Sequence, residues 1–325
     1  MTERYLNYIA SIRRYSPRTQ AIYRAVLGSY ASFAEPGCDG DALDWAGELN
    51  VQQLRAYEVF LLDEKKASPR TVHLHLSVLS GFCRFLMKEG VLSSNPVKLV
   101  TRPKMEKRLP EFYREESMDA YLEETRFLVD DYAAFADEKY YEKRLGRLII
   151  NLLYCTGIRR AELIGLDRRS FDQGRRVLRV RGKGDKIREI PLVFSLCQEI
   201  LLYLQSVDSM GAGERPVPRR SGDDPLLVTA KGERLYPVLV DRVVKQELAG
   251  VKGITGRRSP HVLRHTLATE LLDDGADLGA IKEMLGHASL AATQVYTHNS
   301  IEKLKRVYNH AHPRAKNDGG KHHGD

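Results

Sequence analysis

The feature that most constrains the fold is one β-rich segment in a chain whose other periodic segments have helical spacing. Residues 175–192 read RRVLRVRGKGDKIREIPL, two short β-rich runs around Gly-Lys-Gly-Asp-Lys. This pattern is typical of a β-hairpin with a basic turn. The sequence therefore predicts a mainly α-helical chain with a small β-sheet. Apolar residues recur at helical spacing in residues 118–129, 145–154, 194–207, 238–248, 262–272 and 278–285.

The N-terminal hundred residues contain two similar helix starts. SPRTQAIYRAVLGSYASF begins at Ser16, and SPRTVHLHLSVLSGFCRF begins at Ser68. Serine caps the free amides of a helix, and proline at the first helical position loses no hydrogen bond. Asn50 is a further cap residue, before a helix that lies between the two. We expect residues 1–100 to form a bundle of four or five helices.

The segment after this bundle reads as a boundary between domains. Residues 101–110, TRPKMEKRLP, are basic, bounded by prolines and free of periodicity, which is typical of an interdomain linker. The second domain is predicted to span residues 111–312, with a mobile loop at 214–224 and an amphipathic tail helix at 301–308. Residues 313–325 are expected to be disordered.

Positive charge is concentrated in one part of the chain. The net charge is +8, yet residues 139–190 alone hold fifteen Lys or Arg and six Asp or Glu. Such a basic surface suggests a polyanionic partner, with nucleic acid as the first candidate. A solvated, ion-paired face is the alternative interpretation.

Cysteine spacing and hydropathy exclude several classes of protein. The four cysteines form no C-x-x-C pair, which argues against a zinc knuckle or a disulfide scaffold. The first residues, MTERYLNYIASIRR, lack the apolar core of a signal peptide, and no apolar run approaches the length of a membrane span. We expect a cytoplasmic protein that does not associate with a membrane.

Residues 261–272, HVLRHTLATELL, have three polar side chains, His261, Arg264 and His265, where a helix is expected to begin. His261 and Arg264 are three residues apart, so a helix puts both on one face, and a helix N-terminus attracts anions. These features favour a phosphate site, although a solvated capping turn is the alternative. His261 and His265 have the spacing of a zinc pair, but Val262 stands where the metalloprotease motif requires glutamate. A zinc site is therefore disfavoured.

Further polar residues stand beside structural signals, none of them specific alone. Arg159 and Glu162 lie one helical turn apart in TGIRRAEL, and Lys183 lies in the hairpin turn. His287 follows a glycine in LGHAS, where a helix is expected to stop. Tyr296 in TQVYTH could equally be a core residue.

The order of these motifs resembles that of the tyrosine recombinases, also called the phage integrase family. The resemblance covers nearly the whole chain and is closest to the Xer subgroup, which resolves chromosome dimers at cell division. It implies a SAM-like core-binding domain followed by an α+β catalytic domain. The matching positions are Arg159 with its acidic companion Glu162, Lys183, His261, Arg264, His287 and the nucleophile Tyr296.

The resemblance also implies a reaction that needs no metal, cofactor or ATP. Tyr296 would attack the scissile phosphate and form a 3′-phosphotyrosyl bond, with release of a 5′-hydroxyl. The implied roles are phosphate binding by Arg159, Arg264 and His287, proton acceptance by His261, proton donation by Lys183, and support of these groups by Glu162 and His265.

The implied partner is a double-stranded DNA recombination site bound by a homo- or hetero-tetramer. A sister XerD-like recombinase and an FtsK-type translocase as activator are further implied partners. Three alternatives remain: an integrase or transposase of a mobile element, a catalytically silent DNA-binding protein, and a type IB topoisomerase.

Overall fold

The computed structural model describes residues 1–37, 40–105, 111–130, 140–182, 185–211 and 224–286. The chain divides into two compact units, Met1–Arg108 and Leu109–Asp325. The prediction of a mainly α-helical chain with a small β-sheet is confirmed. The predicted loop at 214–224 and the tail beyond residue 286 lie outside the described residues, apart from Asp224.

The first unit is a helical bundle whose longest helices begin as their sequences predict. The hydroxyls of Ser16 and Ser68 accept hydrogen bonds from the Thr19 and Thr71 amides, both at 3.2 Å. Asn50 caps the helix between them in the same way. Among its described residues the unit has α1 (Thr2–Ser11), α2 (Pro17–Ala34), α3 (Trp45–Glu48), α4 (Val51–Val59) with a π-helical extension at Phe60–Glu64, α5 (Pro69–Lys88) and a 3-10 turn at Pro96–Leu99.

The second unit is built around a buried central helix. In this helix, α8 (Tyr141–Thr156), apolar residues occur on every side, and a helix of that kind must be covered by neighbouring elements. Three later helices pack against it, α10 (Phe194–Gly211), α11 (Pro237–Glu247) and α12 (Pro260–Asp273). The described helices of the unit are α6 (Glu115–Glu124), α7 (Phe127–Asp130), α8 (Tyr141–Thr156), α9 (Arg160–Ile164), α10 (Phe194–Gly211), α11 (Pro237–Glu247), α12 (Pro260–Asp273) and α13 (Leu278–Leu285).

The helix predicted at residues 118–129 is interrupted in the structure, where α6 ends at Glu124 and α7 begins at Phe127. The buried Arg147 donates to the Leu122 carbonyl at 2.6 Å. In a continuing helix this carbonyl would accept from the Arg126 amide, which donates instead to the Glu123 carbonyl at 3.0 Å. A tertiary contact therefore takes the place of helical hydrogen bonds here.

The predicted hairpin is present, and a third strand extends it. Strand β2 (Val177–Arg181) pairs antiparallel with β3 (Ile187–Pro191), and the short β1 (Phe171–Asp172) pairs with the other edge of β2. In this register Arg188 lies opposite Val180. Because side chains alternate between the faces of a strand, Arg188 lies on the same buried face as Ile190, two residues later.

A buried carboxylate on α12 makes the stability of this unit depend on pH. Glu270 accepts a hydrogen bond from the Tyr154 hydroxyl at 3.0 Å and lies near Glu115, Asp119 and Asp274. Burial, which is the largest cause, and the charges of the three acids raise the pKa of Glu270 to about 8. The hydrogen bond from Tyr154 acts in the opposite direction and lowers this pKa. The unfolded chain therefore releases this proton at lower pH than the folded protein, so stability falls as pH rises from 4.5 through about 8.

The Glu270→Gln substitution is expected to remove this dependence, because glutamine resembles the protonated acid at every pH. We expect the variant to gain about 2 kcal/mol over the wild type near pH 8.5, or roughly 4–8 °C in Tm, and almost nothing near pH 5. Calorimetry across this pH range measures the difference, with the exposed Glu283→Gln as the matched control. A difference in Tm that stays constant with pH would contradict the assignment.

Candidate active site

Arg159 is placed by a glycine turn at the end of the central helix. Helix α8 ends at Thr156, and Gly157 follows with a φ of +59°, the left-handed conformation that glycine adopts without a steric penalty. Arg159 then becomes the N-cap residue of α9. Its side chain is 36% exposed. The neighbouring Arg160 instead pairs with Asp241 on α11.

Glu162 holds Arg159 at this helix start. One carboxylate oxygen accepts from the Arg159 backbone amide, and the other accepts from the Arg159 guanidinium, both at 2.8 Å. The Glu162 side chain is only 6% exposed. This reciprocal capping explains why an arginine and a glutamate stand three residues apart.

Arg188 on β3 also belongs to this cluster, although none of the sequence motifs contains it. Its two terminal nitrogens donate to the two oxygens of Glu162 at 3.1 and 2.8 Å, a bidentate arrangement. The signal in the sequence was its position two residues before Ile190, which puts both side chains on one face of the hairpin. Because arginine side chains are ordinarily exposed, this pattern alone does not predict that Arg188 is buried.

Arg264 is buried on α12 and joins two chain segments. Its guanidinium donates to the Gly157 carbonyl at 2.5 Å and to the Leu285 carbonyl at 2.6 Å. Burial, followed by the positive charge of Arg159, lowers the pKa of Arg264 to about 10. At neutral pH the side chain therefore remains cationic.

Three arginines converge on the last turn of α13. The consecutive carbonyls of this turn accept one hydrogen bond each, from Arg188 to Met284 at 2.9 Å, from Arg264 to Leu285 at 2.6 Å, and from Arg159 to Gly286 at 2.9 Å. These carbonyls carry the negative end of the helix dipole, which cations stabilise. The end of α13 is thereby held by three side chains from other parts of the chain.

The two histidines of α12 differ in their surroundings. His261 is exposed in the first turn, one helical turn before Arg264 and on the same side of the helix. His265 is half-buried, and its ring lies edge-on to Phe112 with 6.5 Å between ring centroids. The helix begins at Pro260, as the Ser259-Pro260 pair predicts.

Three of the site residues predicted from the sequence, Lys183, His287 and Tyr296, lie outside the described residues. Beside Lys183 in the chain, the Gly182 amide donates to the Lys186 carbonyl at 2.8 Å. Within the described part of the chain, His, Cys, Asp and Glu side chains form no group of three that could hold a metal ion.

The described cluster has an excess of positive charge. Arg159, Arg188 and Arg264 contribute three positive charges and Glu162 one negative charge, which leaves these four side chains at +2. Burial alone would raise the pKa of Glu162, but hydrogen bonds from Arg188 and from the Arg159 backbone lower it below its ordinary value. The carboxylate therefore stays ionised, and the remaining charge suits a bound anion such as a phosphodiester.

Comparison with known proteins gives the family. Residues 129–303 match the model of the phage integrase family, and residues 2–90 match that of the phage integrase N-terminal SAM-like domain. The chain belongs to the phage integrase family, the tyrosine recombinases.

Curated relatives resemble the chain over almost its whole length. The tyrosine recombinase XerC of Chlorobaculum parvum is 34% identical over 320 residues, which cover 96% of this chain and 94% of that protein. The XerC of Pelobacter propionicus is 37% identical over 314 residues, which cover 95% and 94%.

Solved structures share the fold at lower identity. The integrase of transposon Tn1549, in complex with circular intermediate DNA, gives a TM-score of 0.61 at 19% identity, with 93% of this chain and 97% of that chain covered. A lambda integrase dimer bound to a COC′ core site gives 0.57 at 17% identity, with 91% and 97% covered. In the described part of this chain, no helix is both long and apolar enough to cross a membrane.

Proposed function

We propose that this chain cuts and rejoins double-stranded DNA at a specific site through a 3′-phosphotyrosyl intermediate. The observation that carries the proposal is the cluster of Arg159, Arg188 and Arg264 around the single carboxylate of Glu162. Phosphoryl transfer spreads negative charge over the equatorial oxygens, and fixed guanidinium groups stabilise that charge. Family membership supplies the nucleophile chemistry to which such a cluster is suited.

In the proposed reaction the phenolic oxygen of Tyr296 attacks the scissile phosphorus. A bond forms between phosphorus and the tyrosine oxygen as the bond to the 5′-oxygen breaks. His261 accepts the phenolic proton, and Lys183 donates a proton to the leaving 5′-oxygen. Arg159 and Arg264 bind the non-bridging oxygens, since a guanidinium donates two parallel hydrogen bonds.

Support of these groups completes the proposed site. His287 hydrogen-bonds the phosphate, and its chain position directly follows the turn that the three arginines hold. Glu162 orients Arg159, while His265 stabilises the start of α12 through its contact with Phe112. The ester keeps the energy of the broken bond, so attack by a 5′-hydroxyl from another strand reseals the backbone.

The biological role proposed for this reaction is Xer-type resolution of chromosome dimers, because the relatives over the whole chain are named XerC. The proposed DNA-bound state is a tetramer, either of this chain alone or with a sister XerD-like recombinase, and an FtsK-type translocase is its proposed activator. The recombinases of similar fold were solved on DNA, which supports a duplex as the substrate.

The test traps the intermediate on a nicked duplex. Selection from random duplexes with Tyr296→Phe protein first locates the bound sequence without cleavage. A nick placed close to the cleavage position lets the short fragment with the 5′-hydroxyl diffuse away, so wild-type protein accumulates as a covalent adduct. We expect mass spectrometry to find that adduct on Tyr296, and the released fragment to carry a 5′-hydroxyl.

The matched control is Tyr236→Phe, which removes an exposed hydroxyl from the same domain and should leave adduct formation unchanged. If wild type and Tyr296→Phe both bind the selected duplex and neither forms an adduct, the protein is a DNA-binding protein without this activity. An adduct on another residue would also reject the proposed mechanism.

A further inference from the structure

We propose that Arg188 is a positioning residue for DNA cleavage, which holds Glu162 and the end of α13 in the geometry that the reaction requires. The inference rests on the proposed function and adds a residue that the order of motifs does not contain. Arg188 lies on β3, the strand that follows the hairpin turn, and is 26 residues from Glu162 in the chain.

The hydrogen bonds of Arg188 join three separate chain segments. Two of its nitrogens bind the Glu162 carboxylate at the start of α9, and the third donates to the Met284 carbonyl at the end of α13. Both oxygens of Glu162 thus accept from Arg188 as well as from Arg159. Loss of Arg188 would remove one of the two donors to each carboxylate oxygen, so the carboxylate, and Arg159 bound to it, would be held less rigidly.

Close packing keeps Arg188 away from any substrate. Its side chain is only 6% exposed. A Cβ atom added at Gly286 would lie 3.1–3.3 Å from three atoms of the guanidinium, and one added at Gly182 would lie 3.4 Å from a terminal nitrogen. The group is therefore enclosed by the backbone on two sides, and it can act on a bound phosphate only through Glu162 and Arg159.

The cost of burying this charge argues for a role beyond stability. A buried ion pair often contributes no more to stability than apolar residues of similar size would, because two charges lose their hydration. The inward position of Arg188 on β3, opposite Val180 and two residues before Ile190, would suit an aliphatic side chain. An arginine there supplies what an aliphatic residue lacks, a planar fork that fixes both oxygens of one carboxylate.

The experiment compares Arg188→Met with Arg179→Met in the full-length protein. Arg179 lies on the neighbouring strand with its side chain on the opposite, exposed face, where it pairs with Glu189 and Asp172. We expect Arg188→Met to slow single-turnover adduct formation about 10²-fold, because the loss of an orienting contact should reduce the rate no more than the loss of one direct hydrogen-bond donor does. The DNA affinity of the variant should stay within about threefold of the wild-type value. Arg179→Met should match the wild type within about twofold.

A neutral substrate separates positioning from a general loss of structure. Replacing one non-bridging oxygen of the scissile phosphate by methyl removes the charge that Arg159 is oriented to bind. The deficit of Arg188→Met, relative to wild type, should therefore shrink at least about fivefold on the methylphosphonate. If the role of Arg188 were merely structural, the substitution would slow cleavage of both substrates by the same factor. All rates are measured below the Tm of every variant.

Two more variants keep the test decisive if Arg188→Met folds poorly. Arg188→Lys keeps the charge without the fork, and the Arg188→Met, Glu162→Gln double variant removes the unpaired buried carboxylate. Both should fold and still cleave the phosphate substrate slowly.

Wild-type rates in any folded Arg188 variant, or equal deficits on both substrates, would overturn the inference. If the wild type itself forms no adduct, the proposed function fails as well. If the wild type reacts and Arg188→Met behaves like Arg179→Met, only the inference fails.

Discussion

Alanine in place of Arg264 is expected to slow adduct formation by a factor of about 10³ and to lower the free energy of unfolding by about 3 kcal/mol. The rate falls because one of two proposed phosphate-binding guanidinium groups is lost. Stability falls because the buried carbonyls of Gly157 and Leu285 both lose their donor. Single-turnover adduct assays on the selected duplex measure the rate, and urea unfolding measures the stability.

The matched control is Arg242→Ala, which removes an exposed arginine from α11 and should change neither quantity. From the sequence alone, loss of cleavage and loss of stability are alternatives, since the second is the mark of a capping turn. Because Arg264 is buried and binds two carbonyls, we expect its loss to reduce both cleavage and stability. The cleavage rates of the variant and the wild type must therefore be compared well below the Tm of the variant. Cleavage at the wild-type rate in folded Arg264→Ala protein would contradict the proposed role.

Alanine in place of Gly157 is expected to be strongly destabilising although it adds only a methyl group. An alanine in the left-handed conformation costs about 1–2 kcal/mol. Its Cβ would also lie 2.5 Å from a methyl carbon of Leu285 and 3.0 Å from one of Leu267, and overpacking of this kind costs about 1–3 kcal/mol. Calorimetry should show a Tm that is lower by roughly 6–12 °C.

This substitution should also reduce cleavage, because the Gly157 carbonyl anchors Arg264 and the turn leads directly into Arg159. Gly250→Ala is the matched control, since a Cβ there meets nothing within 4 Å and the backbone is not left-handed. A Tm for Gly157→Ala equal to that of Gly250→Ala would show that the turn relaxes without cost.

Local signals were sufficient for much of the fold. Caps at Ser16, Asn50 and Ser68 act within one helical turn, so their helices could be predicted from neighbouring residues alone. The hairpin was predictable for the same reason, because its strands are adjacent in the chain. The division between α6 and α7 could not be predicted in this way, because Arg147 takes part in it from α8, which begins only at Tyr141.

The candidate site likewise has a part that could be predicted from the sequence and a part that could not. The spacing of Arg159 and Glu162, and that of His261 and Arg264, is helical, so each pair could be placed on one face from sequence. The order of the motifs also predicted the family, and the comparisons with known proteins confirm it. The roles of all the predicted site residues stay predictions, and trapping the intermediate tests that of Tyr296 directly.

By itself, the sequence determined the class of fold, the positions of the main helices and the family, because each depends on local spacing or motif order. Only the tertiary structure decided that Arg188 belongs to the cluster and that three arginines share the last turn of α13. The physical reason is that a buried charge is stable only where distant segments supply its partners. Those partners, Glu162 and the carbonyl of Met284, are brought to Arg188 by the packing of α9, β3 and α13.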